Sequence, residues 1–138
     1  MNSTKKIGIW MDYSKAHIME LSERPHEIAI IESKFETKLH SKEKGKGEKY
    51  LHFLANQCKE DYFNEIANII LNYKKVLLFG PTNAKTELFN MLSEDQRFFK
   101  IKTYLKESGR LTLNQRNRFI RQHFTSPVYK QSASLVIF

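Results

Sequence analysis

A chain of 138 residues with 41% hydrophobic content can bury one core but not comfortably two, and it is too apolar to stay disordered. Its net charge of +8 lies wholly in the last third: residues 1–96 hold 14 basic and 14 acidic side chains, whereas residues 97–138 hold nine Lys or Arg and one acid, Glu107. A single cysteine, Cys58, excludes an internal disulfide and a cysteine-based zinc cluster, and no apolar run approaches the roughly 20 residues that span a bilayer.

Taken from the N-terminus, "KKIGIWMD" opens with a β-rich run whose apolar part is too short for a secretory h-region, so a cytoplasmic protein is expected. Trp10 is expected in the core. "SKAHIMEL" follows after the polar turn at Asp12, Tyr13 and Ser14, and "HEIAIIESKFETKL" after Glu23, Arg24 and Pro25. In the third run Ile28 and Ile30 alternate with Ala29 and Ile31, and Ser33 and Phe35 continue the second set, as in a half-buried strand. Three strands with short turns form an antiparallel meander.

"HSKEKGKGEK" then breaks the pattern, and residues 39–49 are expected to be a mobile basic loop. Beyond it Leu51, Leu54, Ala55, Cys58, Tyr62, Ile66, Ile69 and Ile70 recur at three- and four-residue steps, one face of a long helix from Tyr50. "KKVLLFGP" reads as a strand buried on both faces, "NAKTELFNML" as a helix and "FFKIKTYL" as a further strand. In the last helix Thr112 and Gln115 have capping-box spacing. Residues 125–138 end in "SLVIF"; this tail either adds an edge strand, covers a groove or pairs two copies of the chain. The order β-β-β-α-β-α-β-α builds one α/β domain over residues 1–138, a mixed sheet with helices on both faces, the layout of the ribonuclease H-like fold.

Chemistry is sparse along this scaffold. Two-metal nuclease chemistry requires several converging carboxylates. Asp12 ends the first strand, but "FGPTNAK" at the end of the fourth strand supplies none. A turn role for Asp12 is favoured over a metal-dependent nuclease. "GPTNAKT" lacks the second glycine and the spacing of a nucleotide-binding loop, leaving Lys85 either to meet a single phosphate or to sit solvated in a helix start. His17, His26, His40, His52 and His123 show no metal-ligand spacing. No catalytic residue, metal or cofactor is expected.

The stretch from Gly45 to Leu92 resembles the middle domain of the archaeal and eukaryotic peptide-chain release factor and of its relative Pelota, especially stand-alone bacterial members. The features that carry it are Gly45, Lys46 and Gly47, the long helix, "VLLFGP", then Lys85 and Glu87; the opening "IGIWMDYSKAHIMEL" is similar as well, so residues 7 to 105 are covered. The release factors carry Gly-Gly-Gln where this chain has Gly47, Glu48 and Lys49. The resemblance therefore implies a ribosome- or RNA-associated role of the rescue, hibernation or stress type without ester hydrolysis, with a translational GTPase as a candidate partner and no membrane. Lysine on a glycine-bearing loop reaches phosphates with little sequence preference. The expected RNA contacts are Lys42, Lys44, Gly45, Lys46, Gly47 and Lys49, with Lys85 and a second surface of Arg110, Arg116, Arg118 and Arg121. The competing reading is an interaction module whose charge serves solubility.

Overall fold

A computed structural model describes residues 5–23, 25–41 and 47–125 of the chain. Five strands form one sheet in the order β3-β2-β1-β4-β5: β1 is Lys6–Met11, β2 Lys15–Leu21, β3 Pro25–Glu32, β4 Lys75–Gly80 and β5 Lys102–Glu107. The first three form the expected antiparallel meander, and β4 and β5 add in parallel on the other side of β1. The helices are α1 Phe35–Ser41, α2 Glu48–Ile70, α3 Ala84–Ser93 and α4 Leu113–Thr125, with a 3-10 turn at Gln96–Phe98. This is the α/β, ribonuclease H-like arrangement.

Strand alternation divides the interior into two cores. Ile7, Ile9 and Met11 of β1, with Val76 and Leu78 of β4, pack against Tyr62, Phe63, Ile66 and Ile70 of α2 and Leu88 of α3. Trp10, Leu77, Phe79 and Tyr104 face the other way and meet Ile120 and Phe124 of α4. Cys58 is buried on α2. Gly8 lies where α4 comes closest: a Cβ there would sit 2.5 Å from two carbons of Ile120. Gly80 has φ +150°, and a Cβ on it would meet the Met11 carbonyl oxygen at 2.1 Å, so glycine is required where β4 leaves the sheet beside the end of β1.

Two elements differ from expectation. The third run is not one long strand. β3 stops at Glu32, the Ser33 amide donates to the Ser14 carbonyl, the Ser33 hydroxyl accepts from the Phe35 amide, and the chain turns into α1. The element order therefore gains a helix. In "FFKIKTYL" the Asp95 carboxylate accepts from the Arg97 amide and starts the 3-10 turn, which buries Phe98 and delays β5 to Lys102. The predicted basic loop is also shorter than its sequence span: residues 39–41 belong to α1 and residues 48–49 to α2, while Lys42, Lys44, Gly45 and Lys46 lie outside the described residues.

Candidate nucleic-acid interface

Parallel strands β1, β4 and β5 end on one rim, where open α/β sheets ordinarily place their ligand crevice. In this chain the rim is occupied by its own charge pairs. The Asp12 Oδ1 accepts from the amides of Ser14 and Lys15 at 2.8 and 2.9 Å, so it makes the turn into β2. Its Oδ2 accepts from Arg110 Nη1 at 2.7 Å. Burial alone would raise the Asp12 pKa; the Lys15 and Ser14 amides and the Arg110 guanidinium outweigh it and hold the carboxyl below its ordinary value. The Tyr62 hydroxyl donates to the Asp12 carbonyl at 2.8 Å and fastens α2 to the same turn.

Beside it, Glu87 of α3 accepts from Lys59 of α2 at 2.8 Å and from the Tyr13 hydroxyl. Lys59, with Tyr13, keeps Glu87 below its usual carboxylate range, whereas burial and Glu87 push the Tyr13 hydroxyl up to about 12. Lys85 is 1% exposed, and its ammonium donates to the Thr82 carbonyl at 2.6 Å and meets Glu107 at 3.0 Å. Lys85 is thus a clamp between α3 and β5 rather than a hook held out to a phosphate. Arg116 is likewise buried against the sheet: it donates to the Leu111 carbonyl at 2.8 Å and lies 3.5 Å from Glu27 of β3. Both residues differ from the expected phosphate contacts for one reason. Each carries a long side chain at a position that packing turns inward.

Of the remaining expected contacts, those among the described residues are Gly47, Lys49, Arg110, Arg118 and Arg121, and they face solvent. Gly47 is the N-cap of α2 with extended backbone, nothing lies within 4 Å of where its Cβ would be, and Lys49 is exposed in the first turn. The residues aligned with the release-factor tripeptide therefore form the start of a helix. Arg118 and Arg121 are exposed on α4 one turn apart. Arg110 is 68% exposed although paired with Asp12, and its guanidinium lies 5.6 Å from the Trp10 ring centre. Sequence reading missed Lys59, Tyr13 and Glu107 as closers of the rim, since their partners lie 28, 74 and 22 residues away respectively. Among the described residues no three His, Cys, Asp or Glu side chains are placed to hold a metal ion, and no helix is long and apolar enough to cross a membrane.

No family model matches the sequence, and neither does any curated protein. Solved structures do match. Pelota from Archaeoglobus fulgidus superposes with a TM-score of 0.62 at 12% identity over 94% of this chain, and Pelota from Thermoplasma acidophilum with 0.59 at 16% over 92%. The archaeal translation termination factor aRF1 superposes with 0.60 at 18% identity over 92%. The chain spans 34%, 34% and 36% of those three proteins, about a third of each. It has the fold of a domain of Pelota and of that termination factor.

Proposed function

We propose that this chain is a non-catalytic, translation-associated protein that binds ribosomes or structured RNA through phosphate contacts. The observation that carries the reading is a fold shared over more than nine-tenths of the chain with an archaeal translation termination factor. The surface chemistry supports it. The excess of basic charge is confined to residues 97–138, and Arg118 and Arg121 stand exposed there on a rigid helix. A rim filled by paired charges, with both Asp12 oxygens engaged, favours binding over chemistry. Lys42, Lys44, Lys46 and Lys49 belong to the proposed contact set with Gly45, Gly47, Arg110, Arg118 and Arg121. A cytoplasmic location and a translational GTPase partner go with this reading.

Co-sedimentation with ribosomes across a salt series tests it. Wild-type protein is expected to bind at low salt and to dissociate steeply as salt rises. Replacing Lys42, Lys44, Lys46 and Lys49 by Ala should weaken binding and lower the slope of log K against log salt by about 3, at 0.7 to 0.9 per lost contact. No sedimentation of wild type at low salt would refute the reading.

A further inference from the structure

The other end of the sheet carries a feature that the sequence alone conceals. The parallel register aligns Lys6 of β1 with Lys75 of β4, and Lys75 with Lys102 of β5. Three neighbouring strands thus begin with lysine in a single row, and at about 4.8 Å per strand the row is about 10 Å wide. Register partners point to the same face, here the face of Trp10, Leu77 and Tyr104 that α4 covers. Lys6 confirms the direction, its ammonium lying 5.9 Å from the Phe124 ring centre. Lys106 extends the same face along β5.

Three more lysines lead into these strands. The amides of Lys74 and Lys75 both donate to the Lys5 carbonyl, and the Lys102 amide donates to the Lys74 carbonyl, so the segments before β1, β4 and β5 are tied together. Lys100 lies two residues before β5. Lys5, Lys74, Lys100 and Lys102 are all exposed. Neither β1 nor β4 contains an acid, and β5 contains only Glu107, which is paired with Lys85 at the far end. Of the carboxylates near this end of the molecule, Glu20 is hydrogen-bonded with Tyr73 and Asp95 is paired with Arg97, while Glu23 and Glu94 are exposed. Six lysines, Lys5, Lys6, Lys74, Lys75, Lys100 and Lys102, on one rigid rim cost repulsion that solubility does not require, and release of phosphate counterions offsets such repulsion.

We propose that this lysine rim is a second RNA-backbone surface, separate from the 42–49 segment and from Arg118 and Arg121. It rests on the RNA-binding reading and adds a geometric demand to it. Helix α2 starts at Glu48, beside the basic segment, and ends at Ile70, five residues before Lys75. Its 23 residues are about 35 Å long at 1.5 Å each, so Lys49, in the first turn, and the lysine rim lie at opposite ends of this helix. An RNA that meets both must present phosphates about that far apart, as folded or double-helical RNA does and a short single strand does not.

The test is binding of the full chain to bulk transfer RNA across a salt series. Four proteins are compared: wild type, a rim variant with Lys5, Lys74, Lys100 and Lys102 changed to Gln, the four-Ala loop variant described above, and a variant that combines both sets of changes. The rim variant should lose about 3 from the salt slope while melting like wild type, and adding the loop changes should lower the slope further. In the wild-type complex the four rim lysines should be shielded from chemical acetylation, a readout independent of any variant. A rim variant that binds like wild type while the loop variant is impaired overturns the rim and leaves the proposed function standing. Failure of wild type to bind both transfer RNA and ribosomes overturns both. Rim-dependent binding to poly-glutamate and not to RNA overturns the assignment to RNA.

Discussion

His123 shows how much one side chain can report on burial. It lies on the buried face of α4 with its ring centre 4.8 Å from Tyr104 and 4.7 Å from Phe124. Burial, together with the charge of Lys106, lowers its pKa to about 4. An unfolded chain would take up this proton near pH 6.5. Between pH 6.5 and 4 the unfolded state therefore binds more protons than the folded one, and stability falls as the pH falls through that window. The loss is on the order of 3 kcal/mol by pH 4 and does not grow below it. Carboxylates with lowered values, Asp12 and Glu87, act in a different range: their contribution is present above their unfolded values and is lost only as pH falls through the lower folded ones. Denaturant melts from pH 7 to 4 should show the loss in wild type, and His123→Phe, which keeps an aromatic ring against Tyr104, should flatten it. An unchanged slope in the variant would assign the effect to other groups.

At the scale of the element, α4 is where local sequence and tertiary packing agree. Its capping box forms as spaced: the Thr112 amide donates to Gln115 Oε1 at 2.9 Å, and the Gln115 amide to Thr112 Oγ1 at 3.2 Å. The helix then docks where β1 has no side chain, at Gly8. Gly8→Ala should cost about 1 to 3 kcal/mol through overpacking, less the roughly 0.5 to 1 kcal/mol that glycine in a strand gives away. Adding Ile120→Val removes one of the crowding carbons and should recover part of that loss, read from the denaturation midpoint. A stabilised Gly8→Ala protein would mean that α4 sits further from the sheet. The same comparison shows why other elements were less legible. The alternation of β3 runs on in phase through Ser33 and Phe35, so no change of period marks the start of α1; only the Ser33 hydroxyl bond does. Asp95 caps the 3-10 turn through the Arg97 amide, but in the sequence the apolar run after it reads as strand from Phe98. On α2 Leu54, Cys58, Tyr62, Ile66 and Ile70 of the predicted face are buried and Ala55 and Ile69 half-buried, while Leu51 and Phe53 remain exposed near the helix start.

For the whole molecule, the fold was legible because its two regimes differ in period: a meander, then alternating helix and strand. The site was legible in its charge and only partly in its geometry. Composition located the basic excess, and the exposed Arg118 and Arg121 come from it. Lys85 and Arg116 read as free cations because nothing local announces Glu107, Leu111 or Glu27 as their partners. The lysine rim was illegible for the opposite reason: Lys6, Lys75 and Lys102 sit far apart in sequence, and only strand register makes them neighbours.

The same register has a consequence in time. The β1–β2–β3 contacts are local, but β1 meets β4 only after the chain has closed a loop of about 60 residues, at an entropy cost that long-range pairing must overcome before it is rewarded. Pulse-labelled hydrogen exchange during refolding should protect β2 and β3 amides before those of β4 and β5; simultaneous protection would argue for a single nucleus spanning the sheet. Until β4 docks, β1 is an open edge with Ile7, Ile9 and Met11 on one face and Trp10 on the other, the kind of edge that recruits foreign strands. During synthesis at 5 to 20 residues per second, the segment from β1 to β4 takes about 3 to 12 seconds to emerge. A protein whose centre is its first strand spends that interval with its most adhesive surface uncovered.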